Sequence, residues 1–177
     1  PLDLGARGSA TLGGNAATNA GGNRVIRYGM TRDMVLGLEV VLADGSIVSS
    51  MNRLIKNNAG YDLKPLFLGS EGTLGVITRL VLRLRERPRS QNVGLVALSS
   101  FTQLSAFLKH VDRNLGGSLS AFEAMWADFY ALVTTPPALA RPPLAPGHPY
   151  YVLVEALGGD QAADETRFAA TLADAHQ

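Results

Sequence analysis

Leu12-Gly13-Gly14-Asn15-Ala16-Ala17-Thr18-Asn19-Ala20-Gly21-Gly22 and Leu68-Gly69-Ser70-Glu71-Gly72-Thr73-Leu74-Gly75-Val76-Ile77-Thr78 are the stretches on which the reading of this chain turns. In the first, two Gly-Gly pairs bracket a run of small residues. Glycine adopts backbone shapes that other residues avoid and lets another surface approach the main chain closely. Amides presented in this way can hold a phosphate or the edge of a flat ring. Asn15, Thr18 and Asn19 add donors without bulk. No strand and helix frame a Gly-x-Gly-x-x-Gly here, and no Gly-Lys-Ser/Thr follows, so neither a Rossmann fingerprint nor a Walker A loop is present. The alternative is a plain glycine-rich loop. In the second stretch, glycines at 69, 72 and 75 run directly into apolar sequence. This fits either close approach of a ligand or a demanding entry into a strand.

Working outward, Val35 to Val48 reads as a β-hairpin. Leu36, Leu38, Val40 and Leu42 alternate, and Asp44-Gly45 supplies the turn. Asn57 to Gly60 is a second turn cluster. Residues 76–86 read as a half-buried strand, with Val76, Thr78, Leu80, Leu82 and Leu84 on one face and Arg79, Arg83 and Arg85 on a solvated one. The charged, proline-bearing stretch Glu86-Arg87-Pro88-Arg89 marks a boundary.

Beyond it the texture changes. Asn92 to Leu98 reads as a strand. Ser100-Phe101-Thr102-Gln103 is a capping box that opens a helix, with Phe101, Leu104, Leu108, Val111 and Leu115 on its apolar face and Gly116-Gly117 at its end. Ser118 to Met125 is a predicted strand, and Trp126, Phe129, Tyr130 and Val133 form a helix face. Thr134 to Pro149 holds six of the nine prolines and is a predicted loop. Tyr150 to Leu157 is a strand, and Asp160 caps a last helix through Ala175. This order predicts helices on one face of an antiparallel sheet.

The bulk numbers bound the function. Hydrophobic residues make up 46% and charged residues 18% of the 177, enough for a packed core. A net charge of +1 gives no electrostatic reason to expect nucleic acid or an acidic membrane surface. With no cysteine, disulfides, thiolate catalysis and zinc–thiolate sites are excluded. No apolar run approaches the roughly 20 residues of a membrane span. Pro1 opens the chain without an initiator Met, and a helical pattern still runs at Gln177, so an interior fragment of a longer protein is expected.

Taken in order, LGGNAATNAGG (12–22), RYG (27–29), GLEVVLADGSIV (37–48) and NNAGYDLKPLFLGSEGTLGVIT (57–78) resemble the vanillyl-alcohol-oxidase-type (PCMH-type) FAD-binding fold, and most closely its FAD-linked D-2-hydroxy-acid dehydrogenases. PLDLGARGS at 1–9 and LSAFE at 119–123 lean toward the D-2-hydroxyglutarate branch over the D-lactate and glycolate ones. The resemblance is dense through residue 85 and thinner beyond about 124. It implies an α+β architecture: residues 1–87 as the second subdomain of a PCMH-type FAD-binding domain whose first subdomain is missing, and residues 88–177 as the first part of a cap domain of antiparallel sheet plus helices.

The resemblance further implies that Gly13, Gly14, Asn15, Thr18, Asn19, Gly21 and Gly22 line the pyrophosphate and flavin side of FAD. Glu71, Gly72, Gly75, Val76 and Ile77 would lie along its adenosine and pyrophosphate part, with Ile77 equally readable as core. The implied reaction is hydride transfer from the α-carbon of a D-2-hydroxy acid, of D-2-hydroxyglutarate or D-lactate type, to flavin N5. Electrons would pass on to a separate acceptor, an electron-transfer flavoprotein, a cytochrome or a quinone. No catalytic base and no metal ligand is assigned, because the segment that binds a divalent metal and the substrate carboxylate in such enzymes is not matched by His110, His148 or His176. The expected location is the cytoplasm, or the mitochondrial matrix of a eukaryote, and a homodimer is left open.

Other residues carry weaker readings. Lys64 could touch a phosphate or simply be a surface lysine. Glu123 could face the flavin from a cap strand or be a structural carboxylate. Trp126 stands where relatives carry Asp in a Glu-Phe-Met-Asp pattern, which puts cap-side specificity in doubt. A different class stays open as well: a non-catalytic binding module on an FAD-type scaffold.

Overall fold

The computed structural model describes residues 1–138 and 141–175. Leu139, Ala140, His176 and the helical pattern read at Gln177 lie outside the described residues. The chain divides into two compact units, Pro1–Glu86 and Arg87–Gln177.

In the first unit, short helices α1 (Leu12–Ala17), α2 (Val25–Tyr28) and α3 (Thr31–Met34) precede strand β1 (Val35–Val41). Strand β2 (Ile47–Ser50), helix α4 (Lys64–Phe67) and strand β3 (Val76–Leu82) follow. The sheet runs β2-β1-β3, antiparallel throughout. The predicted hairpin forms. Its turn is a three-residue loop in which Gly45 N donates to Leu42 O and Leu42 N to Ser46 O. Only Gly45 takes positive φ, at 83°. Asp44 instead caps the turn by accepting from Ser46 N and Oγ, and the Ser46 hydroxyl holds its carboxyl below the usual range.

The regular alternation expected along 76–86 does not occur. Glu39 pairs with Arg79 but Val40 pairs with Ile77, leaving Thr78 as an extra residue, a β-bulge. A bulge shifts the phase of the pleat, because side chains alternate with a period of two. Ile77 therefore joins Leu80 and Leu82 against the core of Val35, Leu38, Val40, Phe67, Leu68 and Ala16. Val76 is 64% exposed and Leu84 81%. Thr78 Oγ1 donates to Glu39 Oε1 at 2.9 Å, so the polar bulge residue is held on the side away from the core. Arg79 and Arg85 are exposed as predicted, whereas Arg83 is half-buried.

The second unit contains β4 (Ser90–Leu98), α5 (Phe101–Asn114), β5 (Leu119–Trp126), α6 (Ala127–Thr134), β6 (Tyr150–Gly158) and α7 (Gln161–Asp174). Its antiparallel sheet runs β4-β6-β5. Ser100 Oγ accepts from Gln103 N, while the Gln103 side chain reaches back to Ser99 N, one residue before the cap. Leu104, Phe107 and Val111 of α5, and Leu115 just after it, pack with Phe168 of α7 on Val152, Val154 and Ala156. Phe101, predicted on this face, is exposed, and Phe107 takes the place.

Tyr151 points the other way from Val152, because neighbours on a strand alternate. Its ring stacks on Tyr130 of α6 at 3.7 Å. Helices α5 and α7 thus cover one face and α6 packs on the other, which corrects the expectation of all helices on one face. Trp126 belongs to β5, not to the helix, and is exposed like Phe129. On β6, the buried Glu155 accepts from Ser120 Oγ at 2.7 Å and Gln91 Nε2 at 2.5 Å.

Asp160 caps α7 by accepting from Ala163 N. Four residues on, Asp164 accepts from the Ser90 hydroxyl and from Asp160 N. These bonds, the Ser90 one foremost, hold its carboxyl below the usual range. A depressed folded value means stability that is fully present above the ordinary carboxylate value of about 4 and is lost as pH falls through the lower folded one. The melting-temperature gap between wild type and Asp164→Asn is therefore expected to be constant from pH 7 to 5 and to close at lower pH. A gap independent of pH would refute this account.

Among the described residues, no helix is long and apolar enough to cross a membrane.

Candidate functional site

The first glycine-rich stretch contains a helix that its composition did not announce. Thr11 caps it, its hydroxyl accepting from Gly14 N at 3.0 Å. Ala16, fully buried, anchors it to the core. Small residues suit this position because they bring the helix backbone close to β3: a Cβ added at Gly13 would stand 3.8 Å from Ile77 O. The helix ends in a Schellman arrangement, with Asn19 N donating to Ala16 O and Ala20 N to Asn15 O. Asn19 takes the left-handed position usual for glycine, at φ 49°.

The second stretch docks against this end. Gly69 N donates to Ala16 O at 3.1 Å and Glu71 N to Ala17 O at 2.8 Å. Glu71 is itself left-handed, at φ 54°. Ser70 and Thr73 hydroxyls close the turn onto Phe67 O and Ser70 O. The structure thus brings the helix of the first stretch against the second, with Gly13 beside Ile77, Ala17 bonded to Glu71 and Asn19 beside Gly69. A cleft of about 230 Å³ is lined by Gly13 and Ile77 together with Leu12, Thr78 and Leu80. Gly72, Gly75 and Val76 line a separate cleft with Val41 and Leu42.

The predicted site residues are not equivalent. Gly14, Thr18, Glu71, Gly72 and Val76 are exposed, and nothing lies within 4 Å of a Cβ built on Gly72. An open, glycine-surfaced backbone of this kind fits a ligand that presses on the main chain. Gly22 and Gly75 serve the fold itself. A Cβ on Gly22 would fall 2.2 Å from Asp3 O, and one on Gly75 would fall 2.4 Å from Val40 Cγ1. Gly21 is similarly close to the Val25 side chain, at 2.9 Å. Asn19 is buried, with its side chain turned inward: Oδ1 accepts from Arg32 N at 2.9 Å, and Nδ2 approaches Met30 Sδ at 3.7 Å.

Sequence reasoning missed Thr31 and Arg32. Buried Thr31 donates through Oγ1 to Ala20 O at 2.7 Å and through its amide to the same oxygen. The Arg32 guanidinium reaches Leu68 O at 3.4 Å. A Thr-Arg pair in the run Gly29-Met30-Thr31-Arg32 carries no recognisable signal. Only the folded chain shows that it touches both stretches.

Lys64 pairs locally with Asp62 at 2.7 Å and holds that carboxyl below its usual range, with its own side chain only 17% exposed. Glu123 is exposed. His110 lies 2.9 Å from Thr171 O through Nε2, and His148 packs edge-on against Tyr151. No group of three or more metal-ligating side chains occurs among the described residues.

Residues 1–50 match a family described as an FAD binding domain. Over 164 residues the chain is 49% identical to the mitochondrial D-2-hydroxyglutarate dehydrogenase of Rattus norvegicus, covering 93% of this chain and 30% of that protein. The corresponding Arabidopsis thaliana protein is 41% identical, covering 97% and 31%. A putative mitochondrial D-lactate dehydrogenase of Schizosaccharomyces pombe is 44% identical, covering 98% and 33%. The chain thus spans about a third of the length of the curated relatives it matches. In fold it resembles a solved alkyldihydroxyacetonephosphate synthase, at a TM-score of 0.70 and 18% identity over 94% of this chain and 33% of that one. With an FAD-binding-domain match over its first 50 residues and 41–49% identity over nearly its whole length, the chain is similar to a part of the D-2-hydroxyglutarate and D-lactate dehydrogenases.

Proposed function

We propose that the whole protein to which this sequence belongs oxidises a D-2-hydroxy acid, of D-2-hydroxyglutarate or D-lactate type, to the 2-oxo acid. The observation that carries this reading is the joining of the two glycine-rich stretches, in a chain 49% identical to a D-2-hydroxyglutarate dehydrogenase. FAD supplies the hydride acceptor, flavin N5, and thus the hard chemistry. This chain's residues would bind and orient it. Gly13 and the exposed Gly14 on α1, the exposed Thr18 at its end, and the exposed Glu71 and Gly72 of the facing turn would form the surface that receives it. On this reading residues 1–87 are one FAD subdomain and residues 88–177 the first part of a cap. A catalytic base, a divalent metal and its ligands would be supplied by parts of the protein beyond this chain. Electrons would go to a separate acceptor. The naming of relatives as mitochondrial supports a mitochondrial location if the source is eukaryotic.

The test is a substrate panel on the full-length protein, read by dye reduction. Yellow protein that turns over D-2-hydroxyglutarate faster than D-lactate or glycolate is the expected result. Colourless protein inert to all three would overturn the proposal.

A further inference from the structure

Asn19 is expected from resemblance to face the cofactor, yet its side chain is turned into the protein. Its backbone is left-handed, and it is one of two non-glycine residues with positive φ among the described residues. The other, Glu71, lies in the second glycine-rich stretch. Such conformations are strained for residues other than glycine and persist where surrounding contacts enforce them. Here the contacts form a ring. Asn19 Oδ1 accepts from Arg32 N. The Arg32 side chain reaches Leu68 O. Gly69 N and Glu71 N donate back to Ala16 O and Ala17 O, just before Asn19. Thr31 fastens the ring's other side to Ala20 O. A Cβ on Gly69 would sit 3.2 Å from Asn19 Cβ and 3.3 Å from Arg32 Nη2, so the ring is packed as well as hydrogen-bonded.

Resting on the flavin reading above, we infer that Asn19 is a positioning residue and not a cofactor contact. Together with Thr31 and Arg32, it fixes the backbone of both glycine-rich stretches in the shape that receives the cofactor. Glycine at this position would supply the backbone shape but not the acceptor for Arg32 N. Aspartate would supply both.

The experiment compares Asn19→Gly, Asn19→Asp and Thr31→Val with wild type in the full-length protein. FAD affinity is read by fluorescence titration, and exchange of the Gly69 and Glu71 amides is read in the apo form. Asn19→Asp is expected to bind FAD within about twofold of wild type. Asn19→Gly, folded by far-UV circular dichroism, should bind roughly tenfold more weakly, the size of one lost hydrogen bond that shapes a ligand-facing loop. Exchange at Gly69 and Glu71, remote in sequence from both positions, should accelerate in Asn19→Gly and in Thr31→Val.

Equal loss of affinity in Asn19→Asp and Asn19→Gly, with exchange unchanged, would show direct contact and overturn the inference. A lowered melting temperature with unaltered affinity and exchange would reduce Asn19 to a merely structural role and overturn it too. Wild-type protein that fails to bind FAD would sink the functional reading alone, since the exchange measurement still decides the ring. Should Asn19→Gly fail to fold, the exchange and affinity of Thr31→Val decide.

Discussion

Gly22→Ala is expected to destabilise the first unit by roughly 3 kcal/mol, far more than a surface substitution. Gly22 has φ 93°, and its Cα faces the Asp3 carbonyl, where an added methyl would stand 2.2 Å from the oxygen. The obstacle is backbone, which cannot swing aside as a side chain can. Relief requires the first residues to lift away, breaking the Asp3–Gly22 bridge and the bond from Asn23 N to Asp3 O. Gly45→Ala is the internal control. Gly45 has φ 83° but nothing within 4 Å of an added Cβ. It therefore suffers only the conformational penalty of about 1–2 kcal/mol for a side chain in the left-handed region. Urea denaturation of the full-length variants measures both. Similar losses at the two positions would show that the close approach to Asp3 is not the cause.

Tyr151→Ala is expected to cost the second unit about 3–5 kcal/mol, the range for truncating a buried aromatic side chain. Tyr151 is 1% exposed and stacks on Tyr130 with planes 10° apart. Both hydroxyls tie down the proline-rich segment. Tyr151 donates to Ala145 O and accepts from His148 N, while Tyr130 donates to Leu144 O and accepts from Leu144 N. Tyr151→Phe keeps the stack and loses the ties, at about 1–2 kcal/mol. Tyr130→Phe and Tyr151→Phe together should open the segment around 141–149 to limited proteolysis, while each alone should not. Unchanged cleavage in the double variant would show that the two hydroxyls do not anchor the segment.

How much of this was legible in the sequence depends on the kind of information each feature uses. The hairpin around Asp44-Gly45, the caps at Ser100 and Asp160, and the strands of the second unit follow local rules of turn chemistry, capping and period. Each was readable where it stands. The Thr78 bulge was not, because register is decided by the partner strand β1 and not by β3 itself. Phe107 displaced Phe101 from the helix face because the sheet beneath selects which apolar residue meets it. The glycine-rich stretches were legible as motifs, but their division of labour was not. Gly22 and Gly75 answer to Asp3 and Val40, residues remote in sequence, and Asn19 answers to Arg32. Single positions cannot reveal such pairings.

The bulge also changes how β3 should be treated as a target for substitution. The strand behaves as two short reading frames joined at Thr78. Before the joint, odd numbers point inward; after it, even ones do. A hydrophobicity scan or a spin-label series that assumed one frame would report a strand that is buried and exposed at random. Removing Thr78 itself would merge the frames into one, leaving Ile77, Leu80 and Leu82 on a single regular alternation that still faces the core.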